Sequence, residues 1–182
     1  MNLLILSASL NPESYSRTLA REAERVLVAE NRNVTFVDLR DYPLPLCDGD
    51  TAYAHENVRH INTFIAAADG IVVATPIYNY DANAALKNLI EVSGKNWENK
   101  VVGFLCTAGG PSSYMAIMPL ANSLMLDFRS VIVPRFVYAT GASFSGETIT
   151  DANVAARVAI CARETARFAA ALRSASPLTS RP

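Results

Sequence analysis

The sequence is poor in the residue types that build metal sites and disulfide frameworks. It contains 3 cysteines in 182 residues, spaced too widely to form a CxxC pair. Its 2 histidines, His55 and His60, do not belong to a His-Glu-x-x-His pattern. Because disulfide-rich secreted domains and zinc hydrolases need more of these residues, we expect neither class. The sequence therefore predicts no bound metal and a reducing, cytoplasmic location.

A strong charge imbalance and long apolar runs are also missing. The chain has 16 basic and 17 acidic residues, which gives a net charge of -1. Nucleic-acid-binding proteins carry a basic excess, and strong surface charge steers small electron carriers to their partners. No run comes near the roughly 20 apolar residues that cross a bilayer, and the apolar start at residues 3–6 lacks the basic segment of a signal peptide. We expect neither a nucleic-acid partner nor a membrane partner.

The sequence does have a regular alternation of short apolar runs and amphipathic stretches. Strands are predicted at residues 3–6, 34–37, 71–74, 101–106 and 131–138. Helices are predicted at residues 14–30, 58–68, 82–92, 113–128 and 151–172. Repeated βα units form a parallel sheet with helices on both faces, so the pattern predicts a three-layer α/β/α sandwich.

Prolines mark some of the expected boundaries. Thr75 and Pro76 are expected to end the third strand, and Pro119 to kink the fourth helix. The sequence contains no segment typical of an interdomain linker. Residues 1–173 are therefore predicted to form one domain, and residues 174–182 a flexible C-terminal tail.

The loop after the first strand has the composition of an anion site. Ser9 follows the first strand and Ser14 and Ser16 begin the first helix, at the sheet edge where open parallel sheets bind ligands. Hydroxyl donors and the partial positive charge of a helix N-terminus bind phosphate without a cation. The Walker A and Gly-x-Gly-x-x-Gly patterns are absent, which argues against a P-loop and a dinucleotide fingerprint. Taken alone, the serines fit a capped turn equally well.

The loops after the third and fourth strands are expected at the same edge. Pro76 rigidifies the first of them, and the amides around Tyr78 and Asn79 suit the polar rim of a planar heterocycle. Gly109 and Gly110 let the backbone approach a ligand closely and permit positive φ. Each loop alone also fits an ordinary surface turn. Three such loops at one edge favour a ligand site.

Together these segments resemble the NAD(P)H-dependent FMN reductase family of flavodoxin-like proteins. The family's first pattern, Gly-Ser-x-Arg-x-x-Ser-x-Asn/Ser-x-x-Leu-Ala, resembles residues 8–20. Its second pattern, Pro-x-Tyr-Asn followed by Leu-Lys-Asn, is present at residues 76–79 and 86–88, and its Gly-Gly at residues 109–110. The resemblance extends over residues 1–172 in element order and implies a five-stranded parallel sheet of order 2-1-3-4-5.

The resemblance implies a flavoprotein oxidoreductase that works by ping-pong hydride transfer. NADPH or NADH reduces FMN, which passes electrons to a flavin, a quinone, an azo compound or another small acceptor. The implied cofactor-binding residues lie around the phosphate or the ring: Ser9, Asn11, Ser14, Tyr15, Ser16, Pro76, Ile77, Tyr78, Asn79, Thr107, Gly109 and Gly110. No catalytic acid or base is assigned. The resemblance also implies a homodimer or homotetramer.

Two residues depart from the first pattern. Ala8 stands where the family has glycine, and Asn11 stands where it has arginine, with Glu13 adding a negative charge nearby. Without the arginine, the loop must hold phosphate by hydroxyls, amides and the helix terminus, and both nicotinamide nucleotides remain open as the reductant. A non-catalytic electron carrier, a cofactor-free interaction domain and a protein that hands reduced FMN to a monooxygenase also fit the fold. The near-neutral charge argues against the electron carrier.

Overall fold

The structure, a computed structural model, describes residues 1–174. Its strands are β1 (Asn2–Ser7), β2 (Asn33–Asp38), β3 (Gly70–Tyr78), β4 (Asp81–Ala82), β5 (Val101–Ala108), β6 (Val131–Ile132), β7 (Val137–Thr140), β8 (Phe144–Ser145) and β9 (Thr148–Ile149). Its α-helices are α1 (Tyr15–Ala29), α2 (Glu56–Ala67), α3 (Ala84–Ser93), α4 (Met118–Phe128) and α5 (Ala152–Ser174). No helix within residues 1–174 is long and apolar enough to cross a membrane.

The main sheet is parallel, with strand order β2-β1-β3-β5, and β6 and β7 both pair with β5 beyond that. This confirms the flavodoxin-like order predicted from the sequence, with one difference at the edge. The predicted fifth strand is divided into β6 and β7. Pro134 follows β6 and has no N–H to donate, and Arg135 turns the chain with a φ of 61° before β7 resumes the pairing.

Alternate residues of the central strands face opposite helical layers. Ile5 of β1 packs in the cluster that contains α1 and α5, whereas its neighbour Leu6 packs with α2, α3 and α4. Gly103 of β5 allows α5 to approach closely, because a Cβ there would lie 2.5 Å from Oγ1 of Thr165. Packed on both faces, the sheet holds the carboxyl ends of its strands in fixed register.

The third strand is longer than predicted, and the expectation that Thr75 and Pro76 end it is wrong. β3 continues through both residues to Tyr78. β1 pairs with β3 only as far as Ser7. Pro76 therefore lies where β3 has one open side, so its missing N–H leaves no ladder bond unmade.

Pro119 is the second residue of α4, so the expected kink within this helix does not arise. It lies in the first turn of α4, where a missing N–H is one of those left unsatisfied in any helix. The segment that was predicted as the start of this helix contains a 3₁₀ turn, Pro111–Ser113. At the C-terminal end, Ser174 is the last residue of α5, and residues 175–182 of the predicted tail lie outside the described residues.

Candidate functional site

The carboxyl ends of β1, β3 and β5 lie side by side in the sheet. Ser7 pairs with Ala74, and Pro76 pairs with Thr107. The three loops that follow these strands therefore leave the sheet at one edge. This is the edge at which open parallel sheets bind their ligands.

The start of α1 presents backbone donors that the protein does not use. Ser14 is the N-cap of α1, but its hydroxyl makes no cap bond, and its Oγ lies 2.8 Å from Oγ of Ser16. Within residues 1–174, the amides of Tyr15 and Ser16 have no acceptor, and the first turn of α1 has no acidic side chain. Open amides beside a hydroxyl pair suit an anion such as a phosphate.

Buried hydroxyls line the strand end from which this loop leaves. Ser9 is 1% exposed, and its Oγ accepts a hydrogen bond from the amide of Asn11 at 3.2 Å. Oδ1 of Asn11 accepts from the amide of Glu13 at 3.0 Å, which tightens the loop further. Oγ of Ser7 is buried and has no partner among the described residues. Since buried hydroxyls normally find partners, Ser7 leaves one polar position open at this end of β1.

Arg17 holds the loop in shape, a role that sequence reasoning missed. Its Nη1 donates to the carbonyl oxygens of Asn11 and Pro12 at 3.1 and 2.9 Å, and its Nη2 to that of Ser9 at 3.2 Å. Its Nε donates to Oδ2 of Asp38 at 2.6 Å. The guanidinium is therefore committed to the protein. The available signal was a cation in the first turn of a helix, where the helix dipole disfavours it.

Asp38 anchors this arrangement from the end of β2. Its side chain is 4% exposed and pairs with Arg17 and Arg40. Burial acts to raise the pKa of Asp38, but hydrogen bonds from Arg40 and Arg17 outweigh that effect and hold the pKa below its ordinary value. Asp38 is consequently ionised across the neutral range and neutralises the loop arginine.

The Asp38 carboxylate is expected to make stability depend on pH. A carboxyl whose pKa is lowered by folding stabilises the protein above its unfolded pKa of about 3.9, and that contribution disappears as the pH falls through the folded value. Asp38→Asn is expected to lower the free energy of unfolding at pH 7 by about 3–5 kcal/mol, because it leaves Arg17 unpaired. Below about pH 4 the difference from the wild type should shrink. Chemical denaturation across this range measures it, with exposed Asp127→Asn as the control; a difference that is constant with pH would contradict it.

The second loop is a tight hairpin turn between β3 and β4. Asn79 has a φ of 51° and Tyr80 a φ of 66°. Positive φ at both central residues defines a type I′ turn, in which asparagine is common but tyrosine is strained. Tyr78 and Tyr80 are 53% and 56% exposed, whereas the side chain of Ile77 packs in the core. Ile77 therefore contributes backbone to the site, and the tyrosines contribute aromatic surface.

The loop after β5 leaves open space in front of its glycines. A Cβ at Gly109 or Gly110 would have no neighbouring protein atom within 4 Å. Neither glycine has positive φ, so the pair does not use the left-handed conformation that glycine permits. Tyr138 fixes the loop, since its hydroxyl donates to the carbonyl of Gly110 and accepts from the amide of Ser113 at 3.2 Å. The glycines thus leave open space in front of the loop that a side chain would occupy.

One buried side chain, that of Asn83, connects the strand ends from which the first two loops leave. Asn83 is 5% exposed, and its Nδ2 donates to the carbonyl of Ala8 at 2.7 Å. The hydroxyl of Thr75, which is fully buried, donates to Oδ1 of Asn83 at 3.0 Å. The amide therefore joins the ends of β1 and β3 to the start of α3. Sequence reasoning missed Asn83 because a bond between residues 75 positions apart leaves no local pattern.

A cavity of about 900 Å³ opens beside α1, against the β8–β9 hairpin. Ser14 and Tyr15 contribute to its lining, and the ring of Tyr15 stacks on Phe144 at a centroid distance of 4.5 Å. The charged lining residues are Arg17, Arg21, Arg25, Glu13, Glu22 and Glu147. Because the two signs balance, this cavity does not favour an anion. The open amides of α1 remain the better phosphate site.

The sequence-predicted site residues lie in the three loops, in the strand ends that lead to them or, for Tyr15 and Ser16, in the first turn of α1. The arrangement offers phosphate donors at the start of α1 and open space for a flat ring at Gly109 and Gly110, with exposed tyrosines nearby. These features fit FMN, which has a phosphate at one end and a planar ring at the other. Fold and site together define a flavodoxin-like flavoprotein.

The chain belongs to the NADPH-dependent FMN reductase family, whose model matches residues 1–144. This span contains all three loops. The NAD(P)H-dependent FAD/FMN reductase of Geobacillus thermodenitrificans (strain NG80-2) is 30% identical over 159 residues, which cover 83% of this chain and 86% of that protein. The NADPH azoreductase of Bacillus sp. (strain OY1-2) is 30% identical over 143 residues, 78% of each chain.

Solved structures agree on the fold. The flavoenzyme NAD(P)H:(acceptor) oxidoreductase FerB from Paracoccus denitrificans superposes with a TM-score of 0.77, covering 93% of this chain and 97% of that one. Its 19% identity shows the fold alone. Family membership makes the protein an NAD(P)H-dependent oxidoreductase that uses FMN. This confirms the cofactor and enzyme class that the motifs predicted and favours the enzyme over the electron carrier and the interaction domain.

Proposed function

We propose that the three loops hold one FMN molecule between them. The phosphate would lie at the start of α1, held by the amides of Tyr15 and Ser16 and by the hydroxyls and loop backbone of Ser9, Asn11 and Ser14. The ring would extend toward Pro76, Ile77, Tyr78 and Asn79 on one side and Thr107, Gly109 and Gly110 on the other. The observation that carries this proposal is that unused amides and the open space at Gly109 and Gly110 occur at the same sheet edge.

The protein's part in the reaction is to bind and orient. When bound, FMN would supply the redox chemistry of a ping-pong cycle between a nicotinamide nucleotide and a small acceptor. Tyr138 and Arg17 fix two of the loops, and the β3–β4 turn is held by its own hydrogen-bonded pairing. Exposed Tyr78, Tyr80 and Tyr114 offer flat apolar surfaces beside the site. We propose planar acceptors, such as quinones, azo compounds or free flavins, on this ground.

We further propose a cytoplasmic homodimer or homotetramer built from one domain, residues 1–173. The cysteines Cys47, Cys106 and Cys161 are all free, as suits a reducing compartment. Exposed Met118, Met125 and Leu126 on α4 are the kind of apolar surface that a second subunit covers. Sedimentation equilibrium of the purified protein tests the assembly, and a monomer at micromolar concentration would contradict it.

The proposed activity is tested by an absorption spectrum followed by anaerobic titration. We expect the purified protein, or the protein reconstituted with FMN, to show a flavin spectrum that bleaches with NADH or NADPH. Addition of a quinone should then restore the oxidised spectrum. Bound flavin that neither nucleotide bleaches would favour the electron carrier, and failure to take up FMN would favour the interaction domain.

Asn11→Arg is expected to tighten FMN binding by about 10- to 100-fold. The loop has no uncommitted guanidinium, and a charge-assisted hydrogen bond to phosphate contributes about 1.5–3 kcal/mol. Asn11 is exposed, so the longer side chain does not disturb the core. Fluorescence titration of the apoprotein with FMN and with riboflavin measures the effect, which should be confined to FMN. Asn122→Arg, an exposed site on α4, adds the same charge far from the loop as control; equal gains in both variants would contradict the placement of the phosphate.

A further inference from the structure

The side chain of Asn83 has an unusual position for a helix-capping residue. Asn83 is the N-cap of α3, where asparagine normally accepts a hydrogen bond from an amide of the first turn. Here the side chain makes no such bond, and its two ends instead reach the carbonyl of Ala8 and the hydroxyl of Thr75. The side chain therefore joins the ends of β1 and β3 instead of capping its own helix. The loss of the helix cap indicates that the bonds to Ala8 and Thr75 have a role of their own.

The connection is specific and buried. Asn83 is 5% exposed and Thr75 is fully buried, so neither partner is replaced easily by water. Both backbone polar groups of Ala8 are bonded. Its amide donates to the carbonyl of Ala74 at 2.9 Å, and its carbonyl accepts from Asn83. Within residues 1–174, the side chain of Asn83 supplies the hydrogen bonds that join the end of β1, at Ala8, to β3, at Thr75. A low-dielectric environment strengthens such a pair and makes its loss costly.

In the proposed binding mode, the phosphate of FMN contacts the loop after β1 and its ring contacts residues 76–79. Binding at one end raises the effective concentration of the other end at its own loop only when the separation of the loops matches the span of the ligand. If the loops move independently, phosphate and ring bind as two weak, uncoupled contacts. The sheet fixes this separation as far as the pair Ser7 and Ala74. The Asn83 bonds extend the connection beyond that pair, where the chain leaves the sheet, and are therefore placed to control how much the phosphate adds to ring binding.

We propose that Asn83 is a positioning residue that fixes the separation between the phosphate loop and the ring-binding segment, so that both ends of FMN bind together. The inference rests on the proposed function of these loops. It predicts a selective effect: FMN loses affinity when the Asn83 bonds are removed, whereas riboflavin, which lacks the phosphate, is affected much less. A general loss of folding would weaken both ligands alike.

The test uses Thr75→Val and Asn83→Leu in the full chain, with fluorescence titration of each apoprotein by FMN and by riboflavin. Thr75→Val removes the hydroxyl that donates to Asn83 and that also lies 3.1 Å from the carbonyl oxygen of Pro76. Asn83→Leu removes both Asn83 bonds at similar volume. We expect the FMN-over-riboflavin affinity ratio to fall by about 10-fold or more in each variant. Thr75→Ser keeps the hydroxyl and should restore most of the ratio.

Thr165→Val is the matched control. Thr165 is fully buried and donates its hydroxyl to the carbonyl of Cys161 in α5 at 2.8 Å, so its loss costs stability without touching the loops. Thermal unfolding of all variants shows which of them remain folded at the titration temperature. An unchanged affinity ratio in folded Thr75→Val and Asn83→Leu, with FMN still bound, would overturn the inference. A wild-type protein that binds neither ligand would instead overturn the proposed function.

Discussion

Arg17→Met is expected to lower the free energy of unfolding by about 3–5 kcal/mol and to remove most of the affinity for FMN. Asp38 is 4% exposed, and removing its partner leaves a buried carboxylate with only the partly exposed Arg40 beside it. The carbonyl oxygens of Ser9, Asn11 and Pro12 lose their donor at the same time. Without these hydrogen bonds, the loop is not held in the conformation that is proposed to bind the phosphate.

Urea denaturation and FMN titration of the same variant measure the two effects. Arg25→Met is the matched control, because Arg25 lies on the same helix and pairs with Glu22 while 69% exposed. An exposed pair of this kind contributes about 0–1 kcal/mol, so this variant should bind FMN normally. The interpretation of Arg17 as the organiser of the loop fails if Arg17→Met binds FMN as tightly as Arg25→Met does.

Gly110→Val is expected to abolish most flavin binding while leaving the fold intact. Gly110 has φ −155° and ψ 174°, an extended conformation that valine adopts without strain, and a Cβ there meets no protein atom within 4 Å. The change in unfolding free energy should therefore lie within about 0.5 kcal/mol of zero. Overlap with a bound ring costs about 1–3 kcal/mol, which is roughly 10- to 100-fold in affinity.

Riboflavin and FMN should lose affinity equally in this variant, because the new side chain meets the ring and not the phosphate. This distinguishes Gly110→Val from Asn11→Arg, whose effect depends on the phosphate. Ser145→Val places the same side chain on exposed β8 and serves as control. Unchanged flavin binding in folded Gly110→Val would show that the ring does not approach Gly110.

The order of elements was predictable because hydrophobic periodicity is local. Residues 3–6 and 101–106 read as buried strands and are β1 and β5, with boundaries shifted by one or two residues. The motifs were predictable for the same reason, since each occupies one short segment. Their convergence on one edge followed from the rule that parallel strands end together.

The misplaced boundaries have a common physical cause. Whether Pro76 ends a strand or Pro119 kinks a helix depends on the neighbours that the missing N–H would have bonded, and those neighbours are set by tertiary structure. Pro76 has an open side because β1 has already left the sheet, and Pro119 lies in a first turn. A proline in the sequence shows that one N–H donor is missing, but it does not show whether a strand ends or a helix kinks there.

The residues that organise the loops were hidden for a different reason. Arg17, Asn83 and Tyr138 act by bonding backbone carbonyls on distant or adjoining segments, and any segment supplies a carbonyl. The residue whose carbonyl accepts the hydrogen bond can be of any type, so the sequence does not reveal the contact. The residues that face the ligand can therefore be recognised from sequence motifs. The residues that hold the loops in position can be identified only from the structure.

The tyrosine in the β3–β4 turn has a consequence for how this fold can change. Tyr80 adopts a φ of 66°, where a residue with a bulky side chain is held only by its surroundings, at a cost of about 1–3 kcal/mol. Selection for heat resistance alone would replace it with asparagine or glycine. We infer that the strain at Tyr80 is the cost of keeping an exposed aromatic ring in this turn. Evolution toward new acceptors is therefore expected to act on this turn before it acts on the sheet beneath it.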